Sequence, residues 1–353
     1  MKIGNTTLIP QNVAPPNAEK VVIFDKNGNV VLKCGLGNLA MPSVGTKRYS
    51  VGILSDTHTT TINSHFGTPE DTQTDLTRAI QYFSTVAEIT CVCGDMVNFC
   101  DDGGLEKHKE IVDANKGNMK VFEIAGNHEH YSKQDKVVPM TDDVIRQYTG
   151  YPLRYAVEHN GDVFIMCGSV GWGAVFDKTG IQWLYDTLEE NRNKRCFLFV
   201  HCFLKGAEYC GDSTGIVNTV DMTASYKQVF ISLLKHYKNV IYFHGHSHVM
   251  GQMQDYTQQL ETPLPANYDF ACGIHSVHIP SLSYPRDISS GTKVNLFEES
   301  QGYLMDVYDN HIVLRGRDFV KGEFIPIAQY CLNTTLQTIE ANTFTDSTGI
   351  ITT

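Results

Sequence analysis

Six short apolar runs in this chain all stop at polar or charged groups. They are "SVGILSD", "EITCVCGD", "KVFEIAGNHE", "DVFIMCGS", "CFLFVHC" and "VIYFHGH". Segments with apolar residues at helical spacing stand between them: "DLTRAIQYFSTVA", "TDDVIRQYTG", "IQWLYDTLEENRNK" and "SYKQVFISLLKHY". The second of these opens on a capping threonine with acids in its first turn. Strand and helix in alternation predict an α/β core whose working residues stand at the carboxyl ends of strands.

The flanks read differently. In "KVVIFDKNGNVVLKC", residues 20–34, two β-branched runs flank Asn27-Gly28, which predicts a β-hairpin with a tight primed turn. The stretch before it, "PQNVAPPNA", reads as a linker. "GIHSVHIPSL" reads as a strand, and "GYLMDVYDNHIVLRGRDF" as a hairpin turning at Asp309-Asn310. The expected organisation is a small β appendage and linker over residues 1–45, a main domain over 46–325, and a C-terminal strand or tail over 326–353.

With 353 residues, 42% of them hydrophobic and 19% charged, the chain can build one large core and carry a small appendage. A net charge of -11 speaks against a groove for long nucleic acid, which needs a basic track to displace counterions. A local positive site built on metal ions is still allowed. No run reaches the ~20 apolar residues that span a bilayer. "MKIGNTTLIPQN" lacks the apolar stretch of a secretory leader, so a cytoplasmic location is expected. There are ten cysteines without a CxxC pair, and most of them read as buried free thiols in a reducing compartment.

Chemistry gathers where the runs end. "ILSDTH" supplies Asp56 and His58, and "CVCGDMVN" supplies Asp95 and Asn98. "EIAGNHEH" supplies Asn127, His128, Glu129 and His130. "FLFVHC" supplies His201, and "YFHGHSH" supplies His244, His246 and His248. Each group alone has an ordinary reading, as a turn, a helix cap or a packed histidine. Five coincidences at equivalent strand ends favour a site. Asp, His and Asn offer O and N ligands without thiolate, which suits Mn, Fe, Zn or Ni. There are too many for one ion. Two ions ~3.5–4 Å apart sharing a carboxylate lower the pKa of a bridging water and clamp an oxyanion for in-line attack.

The ordered set D-x-H, G-D, G-N-H-E, H, G-H-x-H resembles the calcineurin-like metallophosphoesterase family. It is met by Asp56-Thr57-His58, Gly94-Asp95, Gly126-Asn127-His128-Glu129, His201 and Gly245-His246-Ser247-His248 over roughly residues 50–320. The resemblance implies a two-sheet β-sandwich flanked by helices, with the site at the strand ends. It implies one divalent or trivalent ion on Asp56, His58, Asp95 and His248. A second would lie on Asp95, Asn127, His201 and His246, with Asp95 bridging. It makes His128 the residue that stabilises phosphoryl oxygens or protonates the leaving group, and Glu129 a support for His128 or for nearby backbone. His244 reads as a strand-end packing residue.

Departures narrow the branch. The run Gly94-Asp95-Met96-Val97-Asn98 lacks the acid and arginine of the related protein phosphatases. Asn98 stands where purple acid phosphatases carry a tyrosine. The expectation is a phosphoesterase, foremost a phosphodiesterase, acting on a small phosphoester through metal-activated hydroxide. A nuclease of the same superfamily, or a non-catalytic phage structural or binding protein that keeps the fold, are the alternatives. Candidates for the substrate wall are Asn98, His130, Tyr131, His278 and Arg286, with His65, His275 and Tyr284 beside them. Arg286 would bind a phosphate oxygen. The Thr/Asn/Gly-rich termini resemble phage structural modules, which would make the protein virion-associated. "QWLYDTLEE" and the hairpin could pack within the chain or between chains in an oligomer.

Overall fold

A computed structural model describes residues 46–334, apart from 135, 139, 173–174, 204–223, 252–274 and 288–293, together with four strands of the first 45 residues. Those four are β1 (Lys2–Ile3), β2 (Thr6–Thr7), β3 (Lys20–Phe24) and β4 (Val30–Gly35). β3 and β4 pair antiparallel, as the hairpin reading expects. The Asn27-Gly28 turn, the Pro-rich stretch 10–18 and the Thr-rich tail 338–353 lie outside the described residues.

The main unit runs β5 (Tyr49–Leu54), α1 (Pro69–Val86), β6 (Ile89–Cys93), α2 (Gly104–Asn115), β7 (Lys120–Ile124), α3 (Asp142–Thr149), β8 (Arg154–His159) and β9 (Asp162–Cys167). It continues with α4 (Lys178–Glu190), β10 (Cys196–Val200), α5 (Ala224–His236), β11 (Val240–His244) and β12 (His275–His278). It closes with β13 (Arg286–Asp287), β14 (Val294–Asn295), β15 (Gln301–Val307), β16 (His311–Asp318) and β17 (Glu323–Asn333). Six strands form one sheet in the order β17-β16-β15-β5-β6-β7, and five form a second in the order β12-β11-β10-β9-β8. β5, β6 and β7 run parallel, as do β9 to β12. β15 and β16 are the antiparallel hairpin read around Asp309-Asn310. β17 begins at Glu323, pairs with β16 and so crosses residue 326; β4 lies close against it.

Strand periodicity explains the layering. Val51 and Ile53 of β5, Cys91 and Cys93 of β6, Phe197 and Phe199 of β10, and Ile241 and Phe243 of β11 meet in one core between the sheets. The alternate residues face outward. Leu198 and Val200 pack under α4 and α5, and Val92 packs under α1 and α2. β5, β6, β9, β10 and β11 are buried along their whole length, which is why their sequences are mainly apolar rather than alternating. The result is the expected sandwich of two sheets flanked by helices.

The helices carry local signals. In α1, Thr68 caps Asp71 N–H, Pro69 stands in the first turn, and Leu76, Ala79, Ile80 and Phe83 bury one face. α3 starts on Thr141 and stops at Gly150, whose φ of 80° only glycine adopts freely. α4 starts three residues before its first apolar position, Ile181, on the Asp177 cap. α2 was not legible. Its cap, Gly103, makes no side-chain hydrogen bond.

A buried ion pair pins the two sheets at the end away from the polar strand termini. Arg195, ahead of β10, donates Nε and Nη2 to Asp162 of β9 at 3.1 and 2.8 Å. Tyr49 of β5 donates to Asp162 at 2.6 Å, and Arg195 Nη1 reaches the Tyr308 carbonyl and Thr334 hydroxyl at 2.9 and 2.7 Å.

Asp75, on the inner face of α1, is another buried acid. Burial, aided by Asp71 and opposed by Arg78, pushes its carboxyl up to about 7. The folded protein therefore holds this proton to higher pH than the unfolded chain. The associated stability is complete below pH ~4 and is lost as pH rises through about 7. Asp75→Asn should raise the melting temperature at pH 8, worth about 2 kcal/mol after the lost Arg78 contact, with the gain shrinking toward pH 4. A gain that is flat across a pH series of thermal melts would refute this account.

Candidate metal centre

The parallel strands of the two sheets bring their carboxyl ends together. Asp56 and His58 follow β5, Asp95 follows β6, Asn127 and His128 follow β7, His201 follows β10, and His246 and His248 follow β11. His246 is half-buried; the others are buried. Ligand atoms of Asp56, His58, Asp95 and His248 all lie within 4.8 Å of one another, and so do those of Asp95, His201 and His246. Asp95 is in both sets. His248 Nε2 is 3.0 Å from Asp56 Oδ1 and 3.2 Å from His58 Nε2, while His201 Nε2 is 3.0 Å from Asp95 Oδ2.

Several atoms at this convergence lack a hydrogen-bond partner. Asp56 Oδ1, Asn127 Oδ1, His201 Nε2 and His246 Nε2 are buried and make no hydrogen bond. Leaving such groups unsatisfied costs about 1–3 kcal/mol each. A cation that takes their lone pairs removes that cost, so the donor set fits metal ions. Charge agrees. Burial alone would raise Asp56 and Asp95, yet neighbouring histidines hold both below the usual carboxylate range, His248 and His201 for Asp56 and His201 and His128 for Asp95. Burial drives His246 down to about 3 and His248 to about 4, so both rings are neutral, while against the effect of burial Asp95 and Asp56 push His201 up to about 10.

The backbone is strained at the same places. Among the described residues, six other than glycine have positive φ, and five are in the cluster: Asp56 (53°), His58 (45°), Asp95 (50°), His246 (68°) and His248 (63°). Such conformations cost on the order of 1–3 kcal/mol each and persist only where surroundings enforce them. The enforcement is visible. Glu129, fully buried, accepts from Asp95, Val97 and Gly126 N–H at 3.1, 3.0 and 2.5 Å. Asp56 Oδ2 accepts from His246 N–H at 3.0 Å, and Ser281 donates to the Asp56 carbonyl at 3.1 Å. His201 Nδ1 donates to the Cys93 carbonyl at 2.6 Å, which turns Nε2 into the cluster. Behind the β5 loop, His108 of α2 meets Glu123 at 2.8 Å and the Thr57 and Thr59 hydroxyls at 3.4 and 3.3 Å. Gly245 answers for the compact "HGHSH" motif: a Cβ there would overlap Ser55 Oγ and come within 2.5 Å of Asp56 Oδ2.

A family model described as calcineurin-like phosphoesterase matches residues 49–250, more than half of the chain. The chain belongs to the calcineurin-like phosphoesterase family. Among solved structures, purple acid phosphatase PPD1 from yellow lupin (Lupinus luteus) seeds superposes with a TM-score of 0.51 at 13% identity, over 87% of this chain and 58% of that one. The chain thus spans little more than half of the lupin enzyme, and the likeness is one of fold. GAP50, the anchor in the inner membrane complex of Plasmodium, follows with a TM-score of 0.46 at 12% identity, over 86% of this chain and 99% of that one. No curated protein matches in sequence. No helix among the described residues is long and apolar enough to cross a membrane.

As a calcineurin-like phosphoesterase, the chain uses several residues expected on the substrate wall otherwise. His130 is fully buried, and both ring nitrogens serve backbone, Nε2 the Ser169 carbonyl at 2.9 Å and Nδ1 the Met140 N–H at 3.1 Å. His278 bonds the Val249 carbonyl at 2.8 Å and Ser247 at 3.2 Å, so it supports the histidine loop from behind. Arg286 donates Nε to Asn295 and Nη1 to the Ser247 carbonyl, at 3.1 and 3.2 Å, and so braces that loop. Tyr284 is buried, its ring 4.3 Å from that of His248. His244 is buried against Ser276, as expected of a packing residue. Asn98 is buried, with its carbonyl accepting from His128 Nδ1 at 2.8 Å. Tyr131 is half-buried beside His128, His65 is exposed against Phe66, and the His275 side chain lies outside the described residues. Phe66 and Trp172, which approach His128 at 5.0 and 5.3 Å, had no signal in the sequence beyond being aromatic.

Proposed function

We propose that the protein is a dinuclear metal-dependent phosphoesterase that cleaves a small phosphodiester. One observation carries this: two overlapping sets of Asp and His donor atoms share Asp95 and lie beside His128, and Asp56 Oδ1, Asn127 Oδ1, His201 Nε2 and His246 Nε2 among the atoms gathered there have no hydrogen-bond partner. One ion would be held by Asp56, His58, Asp95 and His248, the other by Asp95, Asn127, His201 and His246. Paired ions at such a site would lower the pKa of a water and offset charge on the phosphoryl oxygens. The chain's own residues supply positioning. His128 N–H donates to Asp95 Oδ1 at 2.8 Å, which fixes the shared carboxylate. His128 Nδ1 is committed to the Asn98 carbonyl, so Nε2 is the atom offered to a phosphoryl or leaving-group oxygen. With Arg286 engaged by protein groups, the surroundings suit the single charge of a diester better than a dianionic monoester.

The test is hydrolysis of bis(p-nitrophenyl) phosphate and p-nitrophenyl phosphate after chelation and reconstitution with Mn, Fe, Zn or Ni. Metal-dependent cleavage that favours the diester is expected. In His128→Ala, two ions should remain while turnover falls about 10²–10³-fold. Loss of half the metal would make His128 a ligand and overturn its role. Protein that binds two ions and cleaves neither ester would favour the non-catalytic reading.

A further inference from the structure

Four aromatic side chains that hydrolysis does not require stand around His128. Phe66 follows β5, Phe99 follows β6, Tyr131 follows the turn after β7, and Trp172 follows β9, so only the fold brings them together. Ring centroids step from Phe66 to Phe99 at 6.1 Å, to Tyr131 at 5.9 Å, to Trp172 at 4.4 Å, to His128 at 5.3 Å, and back to Phe66 at 5.0 Å. The circuit is closed and touches the metal cluster, because Phe66 lies parallel to His58 at 5.8 Å with 8° between the planes. All four side chains are half-buried, whereas the aromatics of the core, such as Phe122 and Phe164, are about fully covered. A second observation points the same way. The Asn98 amide is buried beside His128, and its Oδ1 has no hydrogen-bond partner.

We infer that this collar holds a purine or pyrimidine base, so that the diester taken by the site is a small nucleotide. The inference rests on the phosphoesterase reading and names its substrate class. Flat π-faces at several angles suit a planar heterocycle, and the unpaired Asn98 oxygen suits a ribose hydroxyl or exocyclic amine. The net charge of -11 disfavours a polymer and leaves a mono- or dinucleotide-sized ligand.

Two measurements test this. The chain has two tryptophans, so Trp183→Phe isolates the fluorescence of Trp172. In that metal-loaded variant, adenosine 5′-phosphate should quench saturably and ribose 5-phosphate should not. Equal quenching by both would overturn the inference, whether or not any ester is cleaved. The second measurement is selectivity, as the ratio of kcat/KM for adenosine 2′,3′-cyclic phosphate to that for glycerol 1,2-cyclic phosphate. Trp172→Ala should lower this ratio about tenfold, the scale of one lost base stack, and Trp172→Phe should restore most of it. A ratio unchanged while both rates fall would make the collar structural. Failure of the metal-loaded native protein to cleave any ester would count against the phosphoesterase reading, while the quenching result judges base binding separately.

Discussion

Asp95→Asn should lose metal-dependent hydrolysis by about a thousandfold or more, because it removes the one side chain common to both donor sets. The carboxylate uses one oxygen on His128 N–H and the other toward His201, at 2.8 and 3.0 Å. An amide has a single acceptor oxygen. If that oxygen keeps His128, the NH₂ group faces His201; if it turns, the NH₂ group faces the His128 N–H. Neither arrangement bridges two cations. Metal analysis should find both ions weakly retained, and that separates this variant from His128→Ala. Full activity with two ions bound would sink the dinuclear assignment.

Asp162→Ala should destabilise the fold by about 3–5 kcal/mol, because it leaves Arg195 charged and buried without its partner. Arg195 is 4% exposed and ties β9 to the β15–β16 turn, so water cannot take over the role of Asp162. The shift in urea midpoint measures the effect. A change below about 1 kcal/mol would mean that the pair behaves like a surface ion pair. Catalytic constants of the folded fraction should be unaffected, since the pair lies at the amino ends of the strands.

The clustered Asp, Asn and His residues proposed as metal donors were legible in the sequence because such chemistry allows few substitutes and each stands directly after an apolar run. The sheets were legible for a related reason: doubly covered strands are continuous apolar segments. Residues that serve those donors were harder to sort. His130 and His278 have the same composition and position in the chain as ligands, and only hydrogen-bond partners distinguish an imidazole that holds backbone from one that faces substrate. Glu129 was expected to support His128 or the backbone, and the three amides it accepts from are backbone. Of the collar only Tyr131 was expected near a substrate; Phe66, Phe99 and Trp172 were hidden because they occur singly in loops, where an aromatic residue has no periodic context. α2 was missed because its start lacks a side-chain cap, and with it went His108.

The position of β5 in its sheet bears on how the protein is made. β5 leads directly into Asp56 and His58, and it pairs with β6 on one side and β15 on the other. All seven proposed donors have been synthesised by residue 248, but β15 spans Gln301–Val307. Until that segment leaves the ribosome, one edge of β5 has unpaired backbone groups and the core between the sheets lacks Tyr303, Met305 and Val307. A nascent chain can therefore display every ligand before it has a rigid place to hold them. Metal capture should come late in synthesis, and chains arrested between residues 250 and 300 should be bound by chaperones rather than by ions.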